Sequence, residues 1–270
     1  MRRRLTGNRR ASEPPPSPPE ELPTTPDITL SYAAAGEVID FFGGDNISFT
    51  GRRVADIGCG TGVMDVAVAQ KAEPELLVGF DLLPVDTGTL LSRMREHGLA
   101  SRLPRNLRFE QCGEDWLPAE DDSFDYVFSW SAFEHIARPL PVLKEVRRVL
   151  RPHGVLMIQL VPFFHSRDGS HLAEWFPEGF VQLLRSPEEV EREVRSNPKK
   201  SKPWTDALLA AYRELNRITL DDLHRYLLAA GFAVAKLELL SDPVHLPMEL
   251  AHMPLSVVGI SGVKLLAVPR

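Results

Sequence analysis

The sequence has no long hydrophobic run, few cysteines and no excess of positive charge. No stretch approaches the apolar length of about 20 residues that a membrane-spanning helix requires, so no membrane span is expected. The 270 residues carry a formal net charge of −6, which gives no electrostatic reason to expect nucleic-acid binding. Cys59 and Cys112 form neither a disulfide framework nor a metal-ligand pattern. We therefore predict no metal, and reduced thiols in a cytoplasmic protein.

What is present is an ordinary globular composition, 43% hydrophobic and 25% charged, after an unusual beginning. Residues 1–26 are first basic and then proline-rich, and they include almost no apolar side chains. Such a segment buries too little apolar surface to offset the entropy lost on ordering, so we predict a disordered tail. We interpret its arginines as part of a solvated tail. The alternative is that they tether the protein to nucleic acid or a membrane.

Strand-like and helix-like patterns alternate along the rest of the chain. The predicted strands are 52–57, 76–81, 106–112, 124–130, 154–160, 233–240 and 263–268, and the main predicted helices are 31–42, 62–71, 86–98, 139–152 and 219–232. Such alternation is typical of right-handed βαβ units. The sequence therefore predicts an α/β fold with a Rossmann-like, doubly wound, seven-stranded and mostly parallel sheet.

A glycine-rich turn joins the first predicted strand to the next helix. The sequence DIGCGTGV places Asp56 near the strand end, followed by Gly58, Gly60 and Gly62. Glycines permit a tight turn and a close approach of a ligand to the backbone. The dinucleotide pattern requires a glycine where Val63 stands, and the Asp56 carboxylate would repel a pyrophosphate. The turn therefore favours a ligand with a positively charged end.

A second carboxylate constrains the ligand further. Asp81 ends the second predicted strand, where an acid can accept hydrogen bonds from both hydroxyls of a ribose. The alternative is an acid exposed at a strand end, without a ligand. The expected ligand thus has an unphosphorylated ribose and a cationic tail, and S-adenosylmethionine (SAM) has both.

Several spaced motifs resemble those of class I SAM-dependent methyltransferases of the small-molecule type. The matching segments are DIGCGTG (56–62), Asp81, LP (117–118), DDSFDYVFSWSAFEHI (121–136) and EVRRVLRPHG (145–154). The likeness is close over residues 50–160 and continues over 219–268 by strand order. It implies a SAM-dependent methyltransferase.

The resemblance assigns the methionine side of the cofactor site. Asp56 and the backbone of the glycine turn would line the methionine moiety, and Ser129 would lie at its end. The turn residues in this assignment are Gly58, Cys59, Gly60 and Gly62, of which Cys59 is interpreted as a small packing residue rather than a nucleophile.

The resemblance also assigns the adenosine side. Asp81 would hold the ribose, and Leu82 would pack on the adenine. Members of the family commonly direct an acidic side chain at the adenine amino group, but Gly113 stands at that position here. Glu114, Asp115 or backbone groups alone could make this contact.

Residues 161–218 interrupt the alternation and are far longer than ordinary connections. They contain many aromatic residues, and we predict a mostly helical lid over the carboxyl ends of the fourth and fifth strands. The chain then divides into a SAM-binding core (27–160), a lid or acceptor insertion (161–218) and the C-terminal part of the core sheet (219–270).

Two histidines of the insertion are candidate catalytic bases. His165 and His171 follow the fifth strand and titrate nearest to neutral pH, so either could take a hydroxyl proton. The alternative is that both only pack within the lid. Glu134 and His135 form another acid–base pair, which we interpret as structural or cofactor-orienting rather than catalytic.

The predicted acceptor is a small molecule with a hydroxyl group, such as a sugar, a glycolipid or a secondary metabolite. At the end of the fourth strand, where amine methyltransferases carry an NPPY-like tetrad, this sequence has SWSAF (129–133). This difference argues against a nucleic-acid or protein acceptor. Two alternatives are a SAM-fold enzyme with non-methylating chemistry and a non-catalytic SAM-binding partner protein. The intact Asp56, glycine turn and Asp81 weigh against the latter. No particular oligomeric state is predicted.

Overall fold

The computed structural model describes residues 27–270, so the prediction for residues 1–26 lies outside the described part of the chain. The strands are β1 (Arg53–Ile57), β2 (Leu76–Asp81), β3 (Leu107–Gln111), β4 (Phe124–Trp130), β5 (Leu150–Leu160), β6 (Phe232–Leu240) and β7 (Gly262–Pro269). The helices are α1 (Ile28–Gly43), α2 (Val63–Lys71), α3 (Thr87–Glu96), α4 (Pro139–Val149), α5 (Val181–Leu184), α6 (Pro187–Ser196), α7 (Lys202–Glu214), α8 (Leu220–Ala229) and α9 (Leu255–Val258). Short 3₁₀ helices span Phe133–His135 and Met248–Leu250.

The seven strands form one sheet in the order β3-β2-β1-β4-β5-β7-β6. Strands β1 to β5 pair in parallel, whereas β7 runs antiparallel to both of its neighbours, β5 and β6. The predicted seven-stranded, mostly parallel sheet is confirmed. The chain moves outward from β1 through β2 to β3 and then returns to β4 on the other side of β1. Ligands of open α/β sheets bind at such a switch point, beyond the carboxyl ends of the strands.

Helices cover both faces of the sheet, as a doubly wound fold requires. On one face, Leu143 of α4 and Leu223 of α8 are fully buried against the strands. On the other face, the buried residues include Phe42 of α1, Val66 of α2 and Met94 of α3. Because each face is shielded from water, the central strands are apolar along nearly their whole length, as is typical of parallel sheets.

The boundary between α4 and β5 differs from the prediction. The predicted helix 139–152 ends at Val149, and β5 begins at Leu150 rather than at residue 154. Pro152 disfavours a helical conformation for the residue before it, and Leu150 instead pairs with Phe124 of β4. The strand is therefore longer than its apolar pattern indicates.

The insertion, residues 161–218, has a hydrophobic cluster of its own. Its second half contains α5, α6 and α7, whereas residues 161–180 form an irregular, turn-rich segment, so the insertion is less helical than predicted. The cluster is formed by buried residues of both halves, among them Phe164, Phe176, Val190, Leu209 and Tyr212. Within residues 27–270, no helix combines the length and the apolar character needed to cross a membrane.

Candidate functional site

The glycine turn lies at the switch point, between the end of β1 and the start of α2. Gly58, Gly60 and Gly62 have φ values of 82°, 54° and 77°, in the left-handed region that favours glycine. A Cβ atom at Gly58 would lie 2.5 Å from the Cβ of Ala132, and one at Gly62 would lie 2.4 Å from Cζ of Phe109. Glycine is therefore required both by the backbone conformation and by close neighbours at these two positions.

The structure brings the glycine turn and Asp81 together. The backbone N–H of Gly60 donates to Oδ2 of Asp81 (2.8 Å), and that of Leu83 donates to Oδ1 (3.1 Å). A carboxylate has about four acceptor positions, so both oxygens keep capacity for ribose hydroxyls. The amides of Gly58 and Cys59 donate to the carbonyl oxygen of Phe80, at 2.8 and 3.1 Å. These bonds fix the turn against the end of β2, and the ribose role of Asp81 stays a prediction.

Two buried carboxyl groups lie behind the turn. Asp56 of β1 and Asp65 of α2 are fully buried, and their side-chain oxygens have no hydrogen-bond partner in the described residues. Burial, followed by the nearby carboxylates of Asp65 and Asp81, raises the pKa of Asp56 well above its ordinary value. Burial also raises the pKa of Asp65 to about 7, with a further contribution from Asp81. A positively charged ligand would stabilise the ionised forms of these groups.

Asp65 is a site residue that sequence reasoning missed. It belongs to the segment VMDVAVAQK, in which the other buried helix positions are apolar. A carboxylate within the buried face of a short helix is costly unless a partner or a ligand compensates it. That single charge in an apolar pattern is the signal that could have identified it.

Cys59 packs inside the turn. A Cβ atom at Gly79 of β2 would lie 2.9 Å from the Cβ of Cys59 and 3.0 Å from Oδ1 of Asp65, so these groups occupy the space that a side chain at Gly79 would need. Burial and the surrounding carboxylates raise the pKa of the Cys59 thiol. A thiol that stays protonated is a poor nucleophile, in agreement with its interpretation as a packing residue.

The predicted adenosine side carries exposed apolar and acidic groups. Leu82 is 51% exposed directly after Asp81, which leaves its side chain available to a ligand. Asp115 forms an ion pair with Arg138, whereas Glu114 is exposed and has no ion pair in the described part of the chain. The contact of the adenine with Glu114, Asp115 or backbone stays a prediction.

At the predicted methionine end, Ser129 is buried at the interface of two strands. Its hydroxyl donates to the carbonyl oxygen of Ile57 (2.9 Å), which joins β4 to β1 beneath the glycine turn. Ser129 thereby supports the position of the turn. Its contact with the methionine moiety stays a prediction.

Beyond β4, the structure brings together three groups that are far apart in the sequence. Glu134 and His135 of the 3₁₀ helix meet His171 of the insertion, and one ligand-capable atom of each lies within 4.8 Å of the other two. The two imidazole rings have centroids 5.4 Å apart in an edge-to-face arrangement. Sequence reasoning singled out all three residues but did not predict that they meet.

The protonation states of this cluster differ from those of free side chains. Burial raises the pKa of Glu134 to about 8. Burial, followed by the neighbouring His135, lowers the pKa of His171 to about 4. Partial burial of its ring lowers the pKa of His135, against the opposing effect of the Glu214 carboxylate.

His165, the other predicted base, lies outside this cluster. Its ring packs edge-on against Phe164, with centroids 5.4 Å apart. Partial burial and then the Arg217 cation lower the pKa of His165, while the Asp222 carboxylate acts in the opposite direction. The structure thus separates the two candidate bases, and their catalytic roles stay predictions.

The site as a whole fits S-adenosylmethionine. Asp81 at the end of β2 offers acceptors suited to a ribose, and the unpartnered Asp56 and Asp65 suit the positive charges of the ligand's other end. The open left-handed turn lets a ligand approach the backbone. A Rossmann-like sheet with this cradle at its switch point is the arrangement of a class I SAM-dependent methyltransferase.

The chain belongs to the methyltransferase domain family, whose match extends over residues 29–237. The resemblance drawn from the motifs is thereby confirmed, and family membership supports S-adenosylmethionine as the cofactor.

Two curated methyltransferases are similar to this chain at 30% sequence identity. The chain is 30% identical over 195 residues to the phthiotriol/phenolphthiotriol dimycocerosates methyltransferase of Mycobacterium leprae (strain TN), covering 67% of this chain and 66% of the relative. It is 30% identical over 115 residues to the ubiquinone biosynthesis O-methyltransferase of Xylella fastidiosa (strain M23), covering 43% of this chain and 44% of the relative. The chain thus spans just under two thirds of the first relative and less than half of the second.

Among solved structures, a geranyl diphosphate methyltransferase in complex with SAM is similar to this chain, with a TM-score of 0.55. The sequence identity is 15%, and the alignment covers 90% of this chain and 86% of that structure. At this identity the likeness shows a shared fold.

Proposed function

We propose that this protein transfers the methyl group of S-adenosylmethionine to a hydroxyl group of a small molecule, such as a sugar, a glycolipid or a secondary metabolite. The observation that carries the proposal is the cradle formed by Asp81 and the glycine turn, backed by the unpartnered carboxyl groups of Asp56 and Asp65. These carboxyl groups suit one ligand that has both a ribose and a cationic tail.

When bound, S-adenosylmethionine would supply an activated methyl group: the acceptor oxygen would bond to the methyl carbon as the carbon–sulfur bond breaks, S-adenosylhomocysteine would leave with that electron pair, and the hydroxyl proton would pass to a base. Asp81 holds the ribose side, and the negative groups behind the glycine turn favour the cationic side. The protein's main contribution to such a reaction is alignment and exclusion of water. His165 and His171 are the candidate bases for the hydroxyl proton.

The insertion leaves β5 directly beyond the switch point, which is where an acceptor would enter. Its aromatic residues, including Phe164, Trp175 and Phe176, are buried in a cluster of their own and stabilise the insertion itself. Family relatives are named as a ubiquinone biosynthesis O-methyltransferase and a phthiotriol/phenolphthiotriol dimycocerosates methyltransferase. The first of these names supports oxygen as the acceptor atom.

Two measurements test the proposal in sequence. Calorimetry with S-adenosylmethionine measures cofactor binding, and a labelled-methyl assay then screens sugars, glycolipids, phenolic metabolites and a cell extract. We expect binding and a labelled product that is lost in the Asp81→Ala variant, which serves as the matched background control. Absence of SAM binding would overturn the cofactor site. Binding without any labelled product would overturn methyl transfer in favour of the non-methylating alternatives.

A further inference from the structure

The cluster of Glu134, His135 and His171, here called the Glu–His–His cluster, carries an inference beyond the cofactor site. Each member offers one ligand-capable atom, and the three atoms lie within 4.8 Å of one another. We propose that the Glu–His–His cluster is a binding site for a divalent first-row transition-metal ion, with Zn²⁺ as the natural candidate. The sequence alone predicts no metal, because the third ligand comes from a distant segment.

Two of these side chains have buried polar atoms without a partner. Glu134 is 3% exposed, and its Oε2 atom accepts no hydrogen bond in the described residues. The Nε2 atom of His171 is likewise buried and unpartnered among them. Leaving such an atom unsatisfied is unfavourable, and native structures rarely leave one without a reason. A bound cation would satisfy the carboxylate and an imidazole at once.

The donor set selects the class of metal. Two imidazoles and one carboxylate suit zinc and its first-row neighbours, whereas Mg²⁺ and Ca²⁺ prefer oxygen ligands. Ligand atoms around a tetrahedral Zn²⁺ lie about 3.3 Å apart, given bonds of about 2.0–2.1 Å. Because the ligand atoms of this cluster lie within 4.8 Å of one another, any pair has to close by at most about 1.5 Å on binding, which is easiest for the exposed His135.

Hydrogen bonds hold in place the 3₁₀ helix that carries Glu134 and His135. Asn216, at the end of the insertion, donates from its backbone N–H to the carbonyl oxygen of Glu134 (2.8 Å). Its side chain donates to the carbonyl oxygens of Phe133 (2.7 Å) and Ile136 (2.9 Å). These bonds fix the 3₁₀ helix before any ion arrives.

The segment that carries His171 is fixed in a similar way. The Gln182 amide donates to the carbonyl oxygens of Phe164 and Ser166, at 2.7 Å each. The backbone N–H of His171 donates to the carbonyl oxygen of Asp168 (3.0 Å). An ion bound between the two segments would link the insertion to the core.

The position of the cluster suggests what such an ion does. The 3₁₀ helix begins directly after Ala132, whose side chain lies against Gly58 of the glycine turn. Three protein ligands leave a coordination position open, and a metal-bound hydroxyl loses its proton far more easily than a free one. This role rests on the proposed function: the open position would take the acceptor hydroxyl, and His165, outside the cluster, would remain the candidate base.

Metal binding can be measured without cofactor or acceptor. The full chain, untagged and stripped with a chelator, is titrated with Zn²⁺ in competition with a chromophoric chelator, and Co²⁺ binding is followed by visible absorption. We expect one equivalent of Zn²⁺ and Co²⁺ bands of a low-coordinate site. In metal sites, loss of a residue that hydrogen-bonds to a ligand lowers metal affinity about 10–100-fold. Glu134→Gln and His171→Ala remove ligands themselves, so we expect at least that loss of Zn²⁺ affinity.

Two further variants make the result decisive. His135→Ala removes the most exposed ligand, and it tests the site even if a buried variant fails to fold. His153→Ala removes an exposed imidazole near the start of β5 and should leave Zn²⁺ affinity unchanged. No bound equivalent, or equal affinity in all ligand variants, overturns the metal site. Metal binding with no methyl transfer overturns only the proposed function, whereas methyl transfer by a protein that binds no metal overturns only this inference.

Discussion

Replacing Asp65 with asparagine should remove a loss of stability that the native protein undergoes as the pH rises. The carboxyl group of Asp65 is fully buried and faces the carboxyl groups of Asp56 and Asp81 and the thiol of Cys59. Burial raises its pKa in the folded state to about 7 from an ordinary value of 3.8. The folded protein therefore binds a proton that the unfolded chain has already released between these pH values. Stability is lost as the pH rises from about 4 to about 7, and Asp65→Asn removes that loss.

The magnitude follows from the size of the pKa change. One pKa unit corresponds to about 1.4 kcal/mol, so a rise from 3.8 to about 7 sets a ceiling of about 4 kcal/mol. Part of this loss has already occurred at pH 5, which leaves about 3 kcal/mol to be lost between pH 5 and pH 8. The buried asparagine amide adds a cost of its own, but that cost does not change with pH.

Thermal unfolding of the cofactor-free protein at pH 5 and pH 8 is the appropriate assay. For a protein of this size, about 1 kcal/mol corresponds to 2–4 °C in Tm. The Tm difference between Asp65→Asn and the native protein should shift in favour of the variant by about 6–12 °C across this range. Asp221→Asn, an exposed substitution on α8, is the matched control and should follow the native curve. Parallel curves for Asp65→Asn and the native protein would refute the buried-charge argument.

Three further substitutions test other parts of the site. Asp81→Ala should weaken SAM binding by about 1–3 kcal/mol, because two ribose hydroxyls lose a charged acceptor; unchanged affinity in calorimetry would remove Asp81 from the ribose site. His165→Ala and His171→Ala should each leave SAM affinity within a few-fold, and at least one should lower methyl transfer about 100-fold if it is the base. Normal turnover of both variants on the true acceptor would contradict that role. Asn216→Ala should lower the free energy of unfolding by about 1–3 kcal/mol, since two carbonyl oxygens lose their donor; an unaltered urea midpoint would show that Asn216 does not hold the 3₁₀ helix.

The sequence determined most of the sheet, because the strands and helices of this fold follow local patterns. The predicted bounds of β2 and β4 coincide with those of the structure. The antiparallel β7 was covered only by the expectation of a mostly parallel sheet. Its insertion between β5 and β6 depends on long-range pairing that no local pattern records. The beginning of β5 was predicted too late, since Leu150 already pairs with Phe124 of β4, although a polar, proline-containing stretch separates it from the next paired residue, Val155.

The proximity of the glycine turn and Asp81 was also readable from the sequence. In a parallel sheet, the carboxyl ends of neighbouring strands meet at one edge. A glycine turn after β1 and an acid at the end of β2 therefore had to lie close together, and Gly60 does donate to Asp81. Local order along the chain was sufficient here, because β1 and β2 are consecutive strands and also neighbours in the sheet.

The meeting of the insertion with the end of β4 was decided by tertiary structure alone. His171 reaches Glu134 and His135 only because the segment 161–180 folds back over the end of β4, and that path has no periodic pattern. Asn216 holds the same 3₁₀ helix from the far end of the insertion. Contacts of this kind join segments that are distant in sequence. Closing the chain between them costs conformational entropy, and no local pattern shows whether the contacts formed offset that cost. The burial of Asp65, which sets its pKa, depends in the same way on the sheet against which α2 packs.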